Sequence, residues 1–376
     1  DFIPMAVPTI LRILVPFAWL ALPFTSLKPI AYFPTVVVFI LLSLYLQPLT
    51  TVVGLFVSVA YITFLYITRK KAEIKPFKVN VTGREDGEVV LFCHGWPDRA
   101  ELWAKTIPAL EDNYRCVTYT LPHHAGREAS ESMWGLNFDE SVSRIAATLQ
   151  EELKKCKKSK ALVVAHDWGS MLATAFERRF PDLVKRLVLV DVFFPPTPTH
   201  KRKWTAVLMM GIVYQYYNAL TFLLQAIPVI GAPLADYMNS TFLRTIAKEG
   251  VRYTTPPDAA CNYYYFYYHL NFIQEKLGLE KTYDERHQID RKDPLPLCPV
   301  LFCYAQDKAF MFHNKSMIAK LEERKDGSKA VAFGPTWAER KNTKKEDRVG
   351  HWVQCNAPDK FNAEVRDFLA RAGEPT

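Results

Sequence analysis

An aspartate stands where the chain is predicted to turn sharply from a strand into a helix. Asp167 is the centre of Ala165-His166-Asp167-Trp168-Gly169, which follows the apolar run 161–164 and precedes a helix-like stretch over 170–180. Small residues two positions to either side of the centre suit a strained strand-to-helix elbow, because larger side chains would collide there. Such elbows commonly carry serine, but this chain contains no G-x-S-x-G. A carboxylate at this position attacks saturated carbon and leaves an ester.

Three further segments carry chemistry in an informative chain order. His94-Gly95-Trp96-Pro97 follows an apolar run, Asp307 follows a later one, and His351 lies near the end of the chain. The order nucleophile, acid, histidine is that of the α/β-hydrolase fold. We therefore expect His351 to act as general base for water, and Asp307 to orient and stabilise its imidazole.

The elements that must position these residues alternate between short apolar runs and helix-like stretches. The strand-like runs are 89–93, 115–121, 161–165, 186–192 and 300–304. Continuous apolar strands separated by helices indicate a parallel sheet covered on both faces. Between Phe193 and Asp290 no such strand occurs, and aromatic, helix-compatible sequence dominates. This interval predicts a helical cap over the carboxyl ends of the strands, where an open α/β sheet binds ligands.

The beginning of the chain differs from the rest in being almost purely apolar. Its first 68 residues contain only Asp1, Arg12 and Lys28 as charges. They predict a membrane anchor of two or three transmembrane helices, since a spanning helix needs about 20 apolar residues. The predicted domains are therefore the anchor at 1–68, a first part of an α/β core at 69–195, the helical cap at 196–290 and a second part of the core at 291–376.

Charge and cysteine usage indicate on which side of a membrane the catalytic domain lies. A basic cluster, 69–78, follows the last apolar segment directly, and positive charge beside a span tends to stay cytoplasmic. The seven cysteines are an odd number without C-x-x-C pairs, which favours reduced thiols and a cytosolic side. We expect an integral membrane protein of the endoplasmic reticulum or another internal membrane, in contact with membrane lipid and with its catalytic domain in the cytosol.

Two other classes of partner are not predicted. The net charge of +8 is mostly dispersed and no nucleic-acid motif accompanies it, so we expect no nucleic acid. The paired His123 and His124 have no third ligand at zinc-like spacing. They are interpreted as part of a solvated loop, and no metal site is predicted. The sequence implies no particular oligomeric state.

Taken together, the motifs resemble an epoxide hydrolase of the α/β-hydrolase superfamily. The resemblance runs from about Phe77 to Leu369 and leaves only the anchor and the tail outside. Each motif is weak alone, but their order and domain-scale spacing make the set specific. The matching segments are His94-Gly95-Trp96-Pro97-Asp98, His166-Asp167-Trp168-Gly169, Asn262-Tyr263-Tyr264, and Gly350-His351-Trp352-Val353-Gln354 with Pro358.

The resemblance implies an α/β-hydrolase fold, mostly parallel and with the cap inserted after the sixth core strand. It implies that Asp167 attacks an epoxide carbon to form a hydroxyalkyl ester, with the backbone N–H groups of Trp96 and Trp168 as the oxyanion hole. Water activated by His351, paired with Asp307, then releases a vicinal diol. No cofactor is implied. The aromatic cap and the anchor favour a small lipophilic epoxide as substrate.

The resemblance also implies two tyrosine hydroxyls from the cap that protonate the epoxide oxygen as the ring opens. Tyr264 matches the motif position of one. The second is expected shortly before a Gln-x-x-Pro segment, but the best match, 225–228, places Leu220 there. Tyr217, about one helical turn earlier, is our prediction, with Tyr214 and Tyr216 close by.

Two alternatives share parts of this pattern. A haloalkane dehalogenase also has an aspartate nucleophile followed by Trp and a His-Asp pair, but it needs donors to a leaving halide where this chain has Trp96. Tyr264 serves an epoxide and not a halide. The other alternative is a non-catalytic membrane scaffold of the same fold, although every expected catalytic residue is present.

Overall fold

The computed structural model describes residues 60–193, 213–246, 257–290, 292–306, 311–313, 315–336 and 339–371. The predicted membrane anchor, 1–68, therefore lies outside the described residues except for its last nine positions. Within the described ranges, no helix has both the length and the apolar character that a membrane crossing requires.

A seven-stranded sheet forms the centre of the described structure, with the order β1-β3-β2-β4-β5-β6-β7. Only β1 is antiparallel to its neighbour, and the other strands pair in parallel. The central strands are apolar and buried along nearly their whole length, because helices cover both faces of a parallel sheet. The strands are β1 Val79–Gly83, β2 Glu88–Cys93, β3 Tyr114–Tyr119, β4 Ala161–His166, β5 Val184–Val190, β6 Val300–Ala305 and β7 Lys329–Phe333.

The helices fall into a core set, which packs on the sheet, and a cap set. The core set contains α1 Phe138–Cys156, α2 Trp168–Arg179, α7 Lys315–Glu322, α8 Val353–Asn356 and α9 Pro358–Ala370. The cap set contains α3 Tyr214–Leu224, α4 Gly231–Ile246 and α5 Tyr263–Lys276, followed by the short α6 Tyr283–Arg286. Short 3-10 turns connect several of these elements.

The longest core helix shows how local sequence fixes its ends. The Asn137 side chain accepts the backbone N–H of Glu140 at 2.8 Å, and the Glu140 carboxylate accepts the backbone N–H of Asn137 at 2.8 Å. This reciprocal pair satisfies two donors at the start of α1. Lys154 and Lys155 lie in its last turn, where cations suit the helix dipole. α1 packs against α2 and so supports the elbow that holds Asp167.

The cap lies between β5 and β6 in the chain. It therefore follows the fifth strand of the described sheet, whereas the sequence analysis placed it after a sixth. The difference arises because a single strand, β1, precedes the parallel set β3-β2-β4-β5 in the described residues. α3 packs against both α4 and α5, and these helices join the main core through buried aromatic side chains such as Phe222 and Tyr263.

Candidate active site

The elbow between β4 and α2 holds Asp167 in a strained backbone conformation. Its φ is +55° and its ψ is −128°, a region that residues with a Cβ rarely adopt. The turn is tight because it lies against the end of β2. A Cβ on Gly169 would lie 2.4 Å from the carbonyl oxygen of Cys93, and one on Gly95 would lie 2.5 Å from Oδ1 of Asp167. Small residues at these positions let the two loops meet.

The Asp167 carboxylate lies between backbone donors and a histidine. Oδ1 accepts the backbone N–H of Trp96 at 2.8 Å, and Oδ2 is 3.2 Å from Nε2 of His351. The backbone N–H of Trp168 also donates to the carboxylate. Burial opposes ionisation, but the hydrogen bond and charge of His351 outweigh it and lower the pKa of Asp167. The carboxylate is therefore charged at neutral pH.

His351 lies between two carboxylates. Its Nε2 faces Asp167, and its Nδ1 is 2.5 Å from Oδ2 of Asp191. Burial alone would lower the pKa of His351, but the hydrogen bonds to Asp167 and Asp191 outweigh it and raise that pKa to about 9. The resting site therefore contains an imidazolium flanked by two carboxylates, and the ring becomes a base only when one of these charges is removed.

The aspartate bonded to His351 is Asp191, which the sequence analysis did not single out. It directly follows β5, has a φ of +64° and is completely buried. Its Oδ1 accepts the backbone N–H of Ala305 at 3.0 Å, which leaves Oδ2 for His351. Asp307, the predicted partner, lies outside the described residues, while Nδ1 of His351 is bonded to Asp191. The signal was available, because an aspartate ends the apolar run of β5 just as Asp167 ends that of β4.

Buried polar contacts of His166 and Asp98 hold the loop that carries His351. Nε2 of His166 donates to the backbone carbonyl of His351 at 3.1 Å, and the two imidazole rings lie 4.5 Å apart. Burial lowers the pKa of His166 to about 3, so this ring stays neutral. The next residue, Trp352, donates its indole N–H to Asp98 at 2.7 Å. His166 and Asp98 thus both fix the position of the loop that carries His351.

Two cap tyrosines, Tyr214 of α3 and Tyr265 of α5, lie together within electrostatic reach of the Asp167 carboxylate. Their hydroxyl groups are hydrogen-bonded to each other. Burial raises the pKa of Tyr214, and the negative charge of Asp167 raises it further. For Tyr265, burial, Tyr214 and Asp167 all act in the same direction. Both phenols are therefore protonated donors within electrostatic reach of Asp167.

The structure directs the hydroxyls of the two predicted tyrosines to other partners. The Tyr264 hydroxyl is hydrogen-bonded to Oγ of Ser141 at 2.7 Å, and its ring stacks on Phe138. Tyr217 donates its hydroxyl to the backbone carbonyl of Met238 at 3.0 Å. Each helical residue is rotated about 100° from the last. Within the aromatic run 263–268, a step of one residue therefore moves the hydroxyl to another face, and residue type alone could not select Tyr265.

The paired His123 and His124 are not part of a solvated loop, so that interpretation is wrong. Both are buried. Nε2 of His123 is 2.7 Å from the carbonyl of Ser132, and Nδ1 of His124 is 2.8 Å from the carbonyl of Asp98. In the part of the chain that the structure describes, no group of three or more His, Cys, Asp or Glu side chains is placed to hold a metal.

Comparisons with known proteins agree with this geometry at the level of the fold. A family model described as alpha/beta hydrolase fold matches residues 88–354. Epoxide hydrolase 1 of Caenorhabditis elegans is 24% identical over 313 residues, covering 81% of this chain and 69% of that protein. A cis-3-alkyl-4-alkyloxetan-2-one decarboxylase of Shewanella oneidensis is 22% identical over 305 residues, 78% of this chain and 85% of that protein.

Solved structures show the same architecture. A haloalkane dehalogenase loop variant from Bradyrhizobium elkanii superposes with a TM-score of 0.52 at 16% identity, covering 78% of this chain and 92% of that chain. Identity this low describes the shared fold and not a shared reaction.

Proposed function

Because the chain belongs to the alpha/beta hydrolase fold family and is a hydrolase of that family, we propose that it converts a lipophilic epoxide to a vicinal diol. The observation that carries the proposal is the pair of protonated phenols, Tyr214 and Tyr265, which are bonded to each other and feel the charge of the Asp167 carboxylate. A carboxylate attacks an epoxide carbon, and the ring oxygen needs an acid as the C–O bond breaks. Both groups lie in one partly buried site.

The first step is ring opening. Oδ2 of Asp167 attacks a ring carbon, the C–O bond breaks, and the ring oxygen takes a proton from the tyrosine pair. Oδ1, already held by the backbone N–H of Trp96, becomes the carbonyl oxygen of the ester. This step removes the negative charge of Asp167. His351 thereby loses one of the two hydrogen bonds that raise its pKa. The imidazolium then gives one proton, through water, to the tyrosinate.

The second step is hydrolysis of the ester. Neutral His351, oriented by Asp191, takes a proton from water as the oxygen of that water attacks the ester carbonyl. The oxyanion that forms on Oδ1 is stabilised by the backbone N–H groups of Trp96 and Trp168. When this intermediate collapses, the ester C–O bond breaks, and the alkoxide that leaves takes the proton of the Asp167 carboxylic acid to give the diol. Asp167 is again a carboxylate beside the imidazolium of His351, so the overall reaction consumes one epoxide and one water.

The indole groups argue against a dehalogenase, which needs N–H donors to the leaving halide. The indole N–H of Trp96 donates to Oδ1 of Asn262 at 2.6 Å. The side chain of Trp168 is hydrogen-bonded to Tyr265. Both indoles are thus engaged by the cap, whereas the two phenols offer acids suited to an epoxide oxygen.

The test uses the full chain and its Asp167→Asn variant on a panel of lipophilic epoxides, with matched 1-chloroalkanes and a β-lactone as competing substrates. We expect diol formation by the wild type, none by the variant, and no chloride release. Multiple turnovers in oxygen-18 water should place the label in the Asp167 side chain, because water attacks the ester carbonyl. Turnover without label in that carboxylate, or chloride release as fast as hydration, contradicts the proposal.

We also propose that the protein is held at an internal membrane, such as the endoplasmic reticulum, with its catalytic domain in the cytosol. The support is the apolar sequence of residues 1–59 and the helical residues 60–67 that follow it. Tyr66 packs against Trp134 and Phe266, with ring centroids 5.4 and 5.5 Å apart. Arg69 lies 3.5 Å from Glu140. The end of the apolar segment therefore contacts both the core and the cap.

Extraction of membranes at alkaline pH tests this localisation. The full chain should stay in the membrane pellet, and protease added to sealed microsomes should digest its catalytic domain. Release into the alkaline supernatant, or protection of the catalytic domain from protease, contradicts the proposal. Equal turnover of small hydrophilic epoxides would count separately against a lipophilic substrate.

A further inference from the structure

A buried hydrogen-bond network joins the three cap helices to the loop that holds Trp96. Asn262 lies at the start of α5, and its Oδ1 accepts the indole N–H of Trp96 at 2.6 Å. Its Nδ2 donates to Oγ1 of Thr221 on α3 at 2.8 Å and to Oδ1 of Asn239 on α4 at 2.9 Å. One side chain therefore bonds to three different elements, and all four of these residues are buried.

The network has a single allowed orientation. An indole N–H is only a donor, so the oxygen of the Asn262 amide must face Trp96 and the nitrogen must face the other two partners. Asn239 in turn donates to the carbonyl of Pro257 at 2.8 Å, and Thr221 donates to the carbonyl of Asn218 at 2.9 Å. Because each donor has an acceptor, the network fixes one arrangement of the cap relative to the loop.

Trp96 connects this network to the proposed reacting groups, because it contacts Asp167 and both phenols. Its backbone N–H donates to Asp167 at 2.8 Å. Its ring packs edge to face against Tyr214 and Tyr265, with centroids 5.7 and 5.4 Å away and interplanar angles of 83° and 88°. A shift of this indole therefore displaces an oxyanion donor and both phenols together.

We propose that Asn262 is a positioning residue, which acts through the indole of Trp96 to hold the oxyanion loop and the tyrosine pair in register with Asp167. The inference rests on the proposed function, because the groups it positions are those of epoxide hydrolysis. Asn262 contacts none of the reacting atoms. A misplacement of about 1 Å by a residue away from the chemistry lowers a rate by about 100-fold.

The experiment compares Asn262→Leu, Trp96→Phe and the double variant with the full-length wild type. Leucine has nearly the shape of asparagine but leaves the indole N–H without its acceptor. Phenylalanine removes that N–H and keeps an aromatic ring. We expect each single variant to lower kcat by about 10- to 100-fold with KM within about threefold of the wild type. The double variant should be no slower than the slower single variant, since both substitutions break the same link.

A spectroscopic measurement makes the result independent of turnover. The indole Nε1–H signal of Trp96, assigned by its loss in Trp96→Phe, should shift clearly in Asn262→Leu. Asn362→Leu is the matched control, because it removes another buried amide, one that donates to the carbonyl of Lys105 on the far side of the core. It should leave both the Trp96 signal and kcat unchanged. If Asn262→Leu fails to fold, Thr221→Val removes one partner of the amide and should give a smaller change of the same kind.

The outcomes separate the two proposals. An unchanged Trp96 signal in a folded Asn262→Leu overturns the positioning role, whatever the substrate. Fully additive losses of kcat in the double variant also overturn it, because the two residues would then act independently. If the Trp96 signal shifts as expected in Asn262→Leu but the wild type hydrates no epoxide, the proposed function is overturned and the contact between Asn262 and Trp96 is established.

Discussion

Nδ1 of His351 lies 2.5 Å from Oδ2 of Asp191, a carboxylate that follows β5 and not the strand after the cap. The carboxyl ends of β4 and β5 are neighbours in the sheet, so Asp167 and Asp191 emerge side by side and His351 lies between them. The two aspartates also share a positive φ, +55° and +64°. The proposed nucleophile and the proposed acid thus each follow one of two adjacent strands in a residue of positive φ.

The first prediction concerns this acid. Asp191→Asn should lower kcat by about 10³-fold or more, because an amide neither stabilises the imidazolium nor holds the ring as a carboxylate does. Hydrolysis of the ester should suffer more than its formation, so the ester on Asp167 should accumulate and be visible in the mass of the intact protein. Asp307→Asn provides the comparison and should have the smaller effect. The reverse order of the two variants would contradict the assignment of Asp191.

The second prediction concerns the proton donors. Tyr214→Phe and Tyr265→Phe should each slow ring opening by about 10²-fold or more in single-turnover experiments, since each removes an acid that faces the epoxide oxygen. Tyr264→Phe and Tyr217→Phe are the matched controls, because their hydroxyls are bonded to Ser141 and Met238 instead. They should stay within about tenfold of the wild type. A larger loss in Tyr264→Phe than in Tyr265→Phe would restore the tyrosine chosen from the sequence.

Some features of the site can be predicted from the sequence, and others depend on contacts that the sequence does not show. The elbow around Asp167 and the loop of His351 were found because each depends on a short contiguous motif, and the structure brings the two side chains within 3.2 Å. The acid and the tyrosines depend on contacts between distant segments. In the sequence, Asp191 follows one apolar run much as Asp307 follows another, and residue order alone does not show that Asp191 is bonded to His351.

The fold follows the same division. All five of the apolar runs overlap strands closely, namely β2, β3, β4, β5 and β6, because buried parallel strands leave a continuous apolar pattern. β1 was not predicted, since its residues are mostly exposed at the edge of the sheet and carry little of that pattern. The position of the cap after a sixth strand was implied by the resemblance, whereas five strands precede the cap in the described sheet, because a single strand, β1, is added to the parallel set before it.

The third prediction concerns the pH dependence of stability. The folded protein holds the pKa of His351 at about 9, whereas the pKa of an unperturbed histidine is about 6.5. Because the folded pKa is the higher one, the stabilisation is complete below about pH 6.5 and is lost as the pH rises through about 9. The melting temperature of the wild type should therefore exceed that of His351→Phe by more at pH 6 than at pH 10.

The control for this measurement is Asp191→Asn, which removes one of the two carboxylates that raise the pKa. Its melting temperature should depend less steeply on pH over the same interval. A difference between wild type and His351→Phe that stays constant from pH 6 to pH 10 would contradict a charged resting histidine.

The fourth prediction concerns the crowding beneath the nucleophile. A Cβ on Gly95 would lie 2.5 Å from Oδ1 of Asp167 and 2.6 Å from the backbone nitrogen of Trp168. Gly95→Ala should therefore force the two loops apart, lower the free energy of unfolding by about 1–3 kcal/mol and reduce kcat by at least about 100-fold. Gly126→Ala is the control, because its φ is +114° but nothing lies within 4 Å of an added Cβ. It should lose some stability through backbone strain and keep its kcat, whereas a Gly95→Ala enzyme with normal kcat would show that the close approach of the loops is not needed for catalysis.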